Sequence, residues 1–388
     1  MHRKIATTLS LNSLPEAEAA TAVCSGGRTA GVEKVIFVLR SVTAGGAENH
    51  LLQLMTGLRA HGVVCIYAGP ADGWLGRQAQ AAGFQCEDIA FRGLWDLASM
   101  IRLIRLVRRE QPDIVHGHLT RGAYYSGLAS MLTGIPNVAT AHSTNAGKRF
   151  GLAQRIIAVS EAVHGFLVER GYSRQVLRTI LHGVPDGSAL QHISPDTMRK
   201  ELQLDGSPML AMLARFTPDK GQDVALRALA GLRHLPWTLV LAGSLETAYA
   251  GEMQLLAGEL GIADRVRFVG HRDDVASLYR CADIVLAPSR REALSLTLLE
   301  AAAFGVPVIA SKVGGIGEAV IDGETGLLIP SGDVVALADA LQRLLADRAL
   351  QRRLGQAANR RYRRHFTLEA MVAETLELYR ELAARSAF

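Results

Sequence analysis

Three stretches of this chain carry residues whose types and spacing could do chemistry. In PSRREALSLTLLEAAAFG (288–305), Glu292 and Glu300 are separated by seven residues, the first in a loop after an apolar run and the second about two turns into the helix that follows. A carboxylate accepts paired hydrogen bonds from vicinal hydroxyls, so one of the two suits a ribose and the other a sugar ring. Free N–H groups at Ser295 and Leu296, in the first turn of that helix, would receive phosphate oxygens. In ARFTPDKGQD (214–223), Arg215 sits at a strand tip and Lys220 at a helix start, and two such cations can neutralise a diphosphate and stabilise it as a leaving group. A solvated turn with two surface charges fits that stretch as well. In SVTAGGAENH (41–50), Gly45 and Gly46 let backbone approach a ligand in front of a helix N-terminus, although a plain tight turn needs the same residues.

Histidines supply a further set. His142 ends a strand in TAHS, where it can face a cleft or sit satisfied in a turn. His116 and His118 lie on one face of a strand as HGH, a spacing that could ligate a metal. No third ligand accompanies them in the sequence, which favours structural or acceptor-loop histidines. No G-x-G-x-x-G and no G-x-x-x-x-G-K-[ST] occurs, so a nicotinamide dehydrogenase and a P-loop enzyme lose support.

Positioning these residues requires a particular set of elements. From residue 34 onward, short apolar runs alternate with amphipathic stretches: 34–41, 63–70, 86–91, 113–119, 136–143, 155–160 and 176–184, then a second series at 209–216, 237–244, 266–272, 282–289, 307–313 and 326–331. Apolar strands without polar alternation belong to parallel sheets covered on both faces. Two doubly wound α/β domains are therefore expected, with the strands' carboxyl ends facing a shared cleft where ligands of such sheets bind. Helical periodicity returns at 333–345, 347–364 and 367–384, so the chain ends in helices.

Composition narrows the class. A chain of 388 residues with 49% hydrophobic and 20% charged side chains is too long for one ordinary core and too apolar to be disordered. It has no uninterrupted run of about 18 apolar residues and no apolar leader segment, which points away from a membrane-spanning or secreted protein. Cys24, Cys65, Cys86 and Cys281 are scattered, with neither disulfide nor zinc-site spacing, so a reducing cytoplasm is expected. Net charge is +5, and the excess lies in the first half, with 16 basic and 9 acidic residues over 34–185 against 23 and 25 over 186–388.

The order GGAE, ARFTPDKG, Glu-x7-Glu and GG-x-x-E-x-x-x-D-G-x-T-G-L-L resembles the retaining glycosyltransferases of family 4, which have the GT-B fold; the likeness covers about residues 34–388. The resemblance implies that Arg215 and Lys220 grip a donor diphosphate, that Glu300 binds the nucleotide ribose and Glu292 the transferred sugar, that His142 reaches the sugar from the opposite domain, and that Gly45 and Gly46 flank the diphosphate and acceptor. It implies no metal and no cofactor beyond the nucleotide-sugar substrate, with a front-face displacement in which the departing diphosphate helps to deprotonate the acceptor. The chain departs from the pattern at three places. Ala293 replaces the glycine that commonly follows the first Glu, expected to narrow the donor pocket slightly, while His182 and Pro185 replace Asn and Asp and are expected to mark a hinge.

The expected organisation is a disordered extension over 1–33, an acceptor-side Rossmann-like domain over 34–190, a nucleotide-sugar-binding Rossmann-like domain over 191–366, and a helix over 367–388 crossing back onto the first domain. The expected reaction is transfer of a hexosyl unit from a nucleoside diphosphate sugar to a hydroxyl acceptor, such as a lipid-linked glycan of the cell envelope. A sugar-nucleotide epimerase and a non-catalytic sugar-nucleotide binder remain alternatives. In LWDLASMIRLIRLVRRE (94–110), Arg102, Arg105, Arg108 and Arg109 share one helical stripe and Met100, Leu103, Ile104 and Val107 an adjacent apolar face. That combination suits a peripheral contact with an anionic membrane on its cytoplasmic side, or a helix packed on its own sheet with solvated arginines. Nucleic acid is not expected as a partner, because no aromatic residues are interleaved to stack on bases.

Overall fold

The computed structural model describes residues 31–144, 148–188, 190 and 193–386; most of the leading extension, with Cys24, lies outside them. The first domain is a seven-stranded sheet of β1 (Lys34–Val38), β2 (Val64–Gly69), β3 (Gln85–Asp88), β4 (Ile114–His118), β5 (Asn137–Ala141), β6 (Arg155–Ala158) and β7 (Leu177–Thr179). Its strands run parallel in the order β3-β2-β1-β4-β5-β6-β7. The connecting helices are α1 (Gly46–Ala60), α2 (Trp74–Ala81), α3 (Leu97–Glu110), α4 (Leu119–Thr133) and α5 (Glu161–Glu169). One face of the sheet buries Val35, Phe37 and Tyr67 against Leu51, Leu54 and Leu58 of α1, and the other buries Ile36, Val38 and Ile66 against Leu103, Leu106 and Val107 of α3. This two-sided burial is why the strands read as continuous apolar runs.

The second domain repeats the plan with β8 (Met209–Leu213), β9 (Thr238–Ala242), β10 (Val266–Gly270), β11 (Ile284–Ala287), β12 (Val308–Ser311) and β13 (Leu327–Ile329). They form a parallel sheet in the order β10-β9-β8-β11-β12-β13. Its helices are α6 (Pro195–Glu201), α7 (Gln222–Ala230), α8 (Ala248–Glu259), α9 (Val275–Cys281), α10 (Leu296–Ala303), α11 (Ile316–Ala319), α12 (Val334–Ala346) and α13 (Arg348–His365). Side-chain caps set several helix starts, including Asp96 on Ser99, Ser160 on Val163, Ser194 on Thr197 and Asp347 on Ala349 and Leu350.

The last helix, α14 (Leu368–Ser386), returns to the first domain. The crossing is pinned where Val184 N–H donates to the Phe366 carbonyl and Leu368 N–H to the Val184 carbonyl. Met371, Val372, Leu376, Leu378, Tyr379 and Leu382 then fill the core beside α1, and Thr367 to Ala383 thus belong to the first domain's packing although they follow the second in sequence. Two parallel-sheet domains with a crossing C-terminal helix make up the GT-B architecture expected from the sequence. Between the domains, Val184 packs with Leu294, Leu299, Ala303, Tyr362 and Phe366. No helix among the described residues is long and apolar enough to cross a membrane.

The basic helix shows a difference from one of its two sequence readings. On α3, Met100, Leu103 and Val107 are buried in the first domain with Ile104 packed against them, because covering the sheet is the larger apolar gain available to that face. Arg109 is occupied as well, pairing with Glu87 at 2.9 Å and Glu110 at 3.0 Å.

Candidate active site

In both sheets the strand order reverses at the centre, between β1 and β4 and between β8 and β11, and crevices for ligands open at the carboxyl ends of such neighbours. Gly45 and Gly46 follow β1, His118 ends β4 and His142 follows β5; across the cleft Arg215 follows β8 and Glu292 follows β11. Gly46 and Leu296 bring the two sides together, since a Cβ on Gly46 would lie 3.5 Å from Leu296 Cδ1. The glycine loop of one domain thus faces the α10 N-terminus of the other. Ser295 is the N-cap of α10 without a side-chain cap bond, which leaves the opening N–H groups directed toward the cleft.

Lys220 and Glu292 meet directly. Lys220 Nζ donates to Glu292 Oε1 at 2.5 Å, with the side chains only 19% and 13% exposed, and Ser289 Oγ donates to the same oxygen at 3.4 Å. Lys220 closes a short 3-10 turn (Pro218–Lys220) one residue before α7, slightly earlier than a helix start. Gly221 makes this possible: its φ is +73°, and Pro288 leaves no room for a Cβ. Arg215 is exposed two residues beyond β8 and forms no ion pair among the described residues, so its guanidinium is free for a ligand.

Two further arginines tie the Lys220 and Glu292 loops together. Arg290 donates to both carboxylate oxygens of Asp223 at 2.8 and 2.7 Å and to the Pro218 carbonyl at 2.7 Å, while Arg291 pairs with Asp219 at 2.8 Å. Tyr249 Oη donates to the same Asp223 at 3.0 Å. A bidentate guanidinium fixes orientation as well as distance, so Arg290 holds the loop that carries Glu292 against the loop that carries Lys220. From behind, Gly314, at φ +50°, and Gly315 press on the Glu292 and Ala293 carbonyls too closely for any Cβ. Ala293 packs against the first domain's core at the interface.

Glu300 is half-buried and accepts a hydrogen bond from Tyr279 Oη at 2.7 Å. Burial pushes its carboxyl up to about 7, with the Tyr279 bond working the other way. The GG-x-x-E glutamate, Glu318, spans the interface: its carboxylate accepts from the N–H groups of Glu161 and Ala162 at 2.7 and 2.8 Å, at the start of α5 in the opposite domain. This strut joins the domains beside the cleft.

The first domain's side is built differently. His118 Nδ1 and His142 Nε2 are 3.0 Å apart, and His182 and His50 share a hydrogen bond between their Nδ1 atoms at 2.8 Å. Burial drives His50, His118 and His142 well below the ordinary imidazole range and His182 to about 4, and the neighbouring histidines lower the first three further. His116, the other member of HGH, is committed elsewhere, bonding Tyr379 Oη at 2.5 Å and Thr140 Oγ1 at 2.7 Å. The sequence reading did not single out His50, and it took His182 as a hinge mark. The legible signal was a histidine on the apolar face of α1, beside Leu51, Leu54 and Leu58.

Residues 44–187 match the family model described as Glycosyltransferase Family 4, and residues 194–361 match that of Glycosyl transferases group 1. A D-inositol 3-phosphate glycosyltransferase of Corynebacterium glutamicum is 30% identical over 317 residues, covering 73% of this chain and 76% of the relative. The chain belongs to the group 1, family 4-type glycosyltransferases. A relative of the same name from Salinispora tropica is 32% identical over 314 residues, or 70% of this chain, and the match spans 64% of that relative's length. Among solved structures, a glycosyltransferase from Rickettsia africae superposes with a TM-score of 0.82 at 21% identity, covering 90% of this chain and 98% of its own. Anabaena HepE in complex with UDP-glucose superposes with a TM-score of 0.80 at 23% identity, covering 89% and 99%. The chain therefore shares the fold of both.

Proposed function

We propose that the protein transfers a hexosyl unit from a uridine diphosphate sugar to a hydroxyl acceptor with retention of anomeric configuration. The observation that carries this reading is the charged pocket of Lys220, Glu292 and Glu300 facing the Gly45-Gly46 loop across the cleft. Arg215 and Lys220 stabilise the departing diphosphate, Lys220 turning from Glu292 to phosphate as the donor enters. Ser295 and Leu296 receive phosphate oxygens, Glu300 takes the ribose hydroxyls, and Glu292 and His142 hold the sugar from opposite domains. The acceptor oxygen attacks the anomeric carbon, the bond to the β-phosphate oxygen breaks, and the acceptor proton passes to that oxygen. The uridine assignment is supported by the HepE complex, and the nucleotide-sugar donor by the family.

For the acceptor we favour one presented at an anionic membrane surface. Trp95, Leu97 and Ile101, 86%, 73% and 48% exposed, form an apolar edge beside the exposed Arg102, Arg105 and Arg108, which gives α3 an outward surface of the kind that enters an interface after its inward face is buried. A second reading, a soluble polyol phosphate, is favoured by the relatives' names. Incubation with UDP-glucose and either a lipid-linked glycan or an inositol phosphate, followed by UDP release and NMR of the product's anomeric proton, tests both. An α-linked product from the α-linked donor is expected; donor epimerised without an acceptor would replace the reading with the epimerase alternative.

A further inference from the structure

His50 on α1, His118 at the end of β4 and His142 just beyond β5 converge at the carboxyl edge of the first sheet, each offering a ring nitrogen within 4.8 Å of those offered by the other two. The His118 and His142 nitrogens nearest each other are already 3.0 Å apart, and around a tetrahedral ion with bonds of about 2.0–2.1 Å ligand nitrogens stand about 3.4 Å apart. Two buried ring nitrogens here, His118 Nε2 and His142 Nδ1, have no hydrogen-bond partner among the described residues. These are the far-side nitrogens of the two rings, and two neutral imidazoles joined by one hydrogen bond leave one of them an N–H and the other a bare lone pair, so one buried acceptor here is unmet.

We propose that His50, His118 and His142 form a binding site for a divalent cation of the zinc class, and that its occupation withdraws His142 from the donor sugar and inhibits transfer. The second half of that statement rests on the function proposed above; the first does not. The three ligand atoms all come from imidazoles and none from a carboxylate, which suits zinc, cobalt or nickel and not magnesium or calcium. A neutral imidazole is the ligand form. Whichever nitrogen of each ring faces the ion, the other carries the proton, so binding requires no net deprotonation. His182 supports the site through its bond to His50, as the partners of metal-bound imidazoles commonly do.

The test is titration of the full chain with zinc and, separately, with cobalt(II), read by calorimetry and by visible absorption. One-to-one binding with the intense spectrum of four-coordinate cobalt is expected. His50→Gln and His118→Gln should each weaken binding by on the order of 100-fold or more, while the exposed His271→Gln keeps it. UDP binding and melting temperature, measured on each variant, show that it is folded. Weak binding, a six-coordinate spectrum, or unchanged affinity in both folded variants would overturn the site, leaving water as the partner of the two nitrogens. Zinc binding without effect on UDP-sugar turnover would overturn only the inhibitory role, and zinc binding with no UDP binding would sink the proposed function and spare the site.

Discussion

The two walls of the cleft differ in kind. The second domain presents paired charge, with Lys220 against Glu292, Arg290 against Asp223 and a half-buried Glu300. The first holds four imidazoles, of His50, His118, His142 and His182, of which only His142 is partly exposed, beside the paired glycines. The difference is one of cost: burying a histidine in its neutral form is cheap, whereas a buried carboxylate or ammonium requires a partner. A wall of neutral donors and acceptors suits hydroxyls, and a wall of paired charge can exchange partners with a diphosphate. The two domains share a topology, so the division of labour lies in the loops.

The strongest way to break the comparison is to remove the element both the first domain's core and its histidines lean on. Truncation after His365 deletes the buried apolar face of α14 and the Tyr379 hydroxyl that His116 bonds. Loss of on the order of 5 kcal/mol or more is expected, concentrated in the first domain. Calorimetry would show an early first-domain transition, and a melt like that of the full chain would refute it.

Next come the charges. Lys220→Ala and Arg215→Ala should each lower kcat/KM by on the order of 100-fold, as loss of a group stabilising a leaving oxyanion does, and Lys220→Ala also strands Glu292. Wild-type turnover in both would remove them from the site. Arg290→Ala touches no substrate in this reading but unties the two loops, so a smaller loss, about tenfold, is expected with KM rising more than kcat falls.

The charge of Glu300 sharpens the contrast through pH. With its carboxyl raised to about 7 in the folded chain and near 4.5 in the unfolded one, the ligand-free protein binds the extra proton when folded. That contribution is complete below about 4.5 and is lost as pH rises through about 7, a change of about 3 kcal/mol. UDP affinity should move the opposite way, about tenfold tighter at pH 8 than at pH 6, because the ionised carboxylate accepts both ribose hydroxyls. Glu300→Gln should flatten both profiles, as followed by thermal melts and calorimetric titration. The smallest effect belongs to the outer surface of α3: Arg105→Glu with Arg108→Glu should reduce sedimentation with anionic vesicles several-fold at low salt, each basic side chain contributing about 1 kcal/mol. Equal recovery in the supernatant with neutral and anionic vesicles would favour the soluble acceptor.

Much of this was legible along the chain. Each apolar run expected as a strand overlaps one, from Lys34–Val38 to Leu327–Ile329, because a sheet covered on both faces leaves its signature within a few consecutive residues; the edge strand β3 (Gln85–Asp88) begins one residue before its expected run. Arg215, Lys220, Glu292 and Ser295 could be placed at the cleft for a related reason: in doubly wound domains the loops after strands line the crevice, so locating the strand locates the loop. The apolar face of α3 was visible too, but periodicity identifies a face without saying what covers it, and the neighbouring sheet covered it.

The histidine wall belongs to the other category. His50 and His182 are 132 residues apart, and His118 and His142 are 24 apart, at the end of β4 and just beyond β5, so no spacing in the sequence marks them as one group. The ordering of the sheet, with β4 set beside β1 and β5 beside β4, lays His118 and His142 next to the helix that carries His50. Local propensity and hydrophobic period were enough to determine which segments became strands and helices and which loops follow them. Tertiary packing alone decided which distant side chains share a buried cluster, and desolvation there, absent from any local segment, lowered their pKa values.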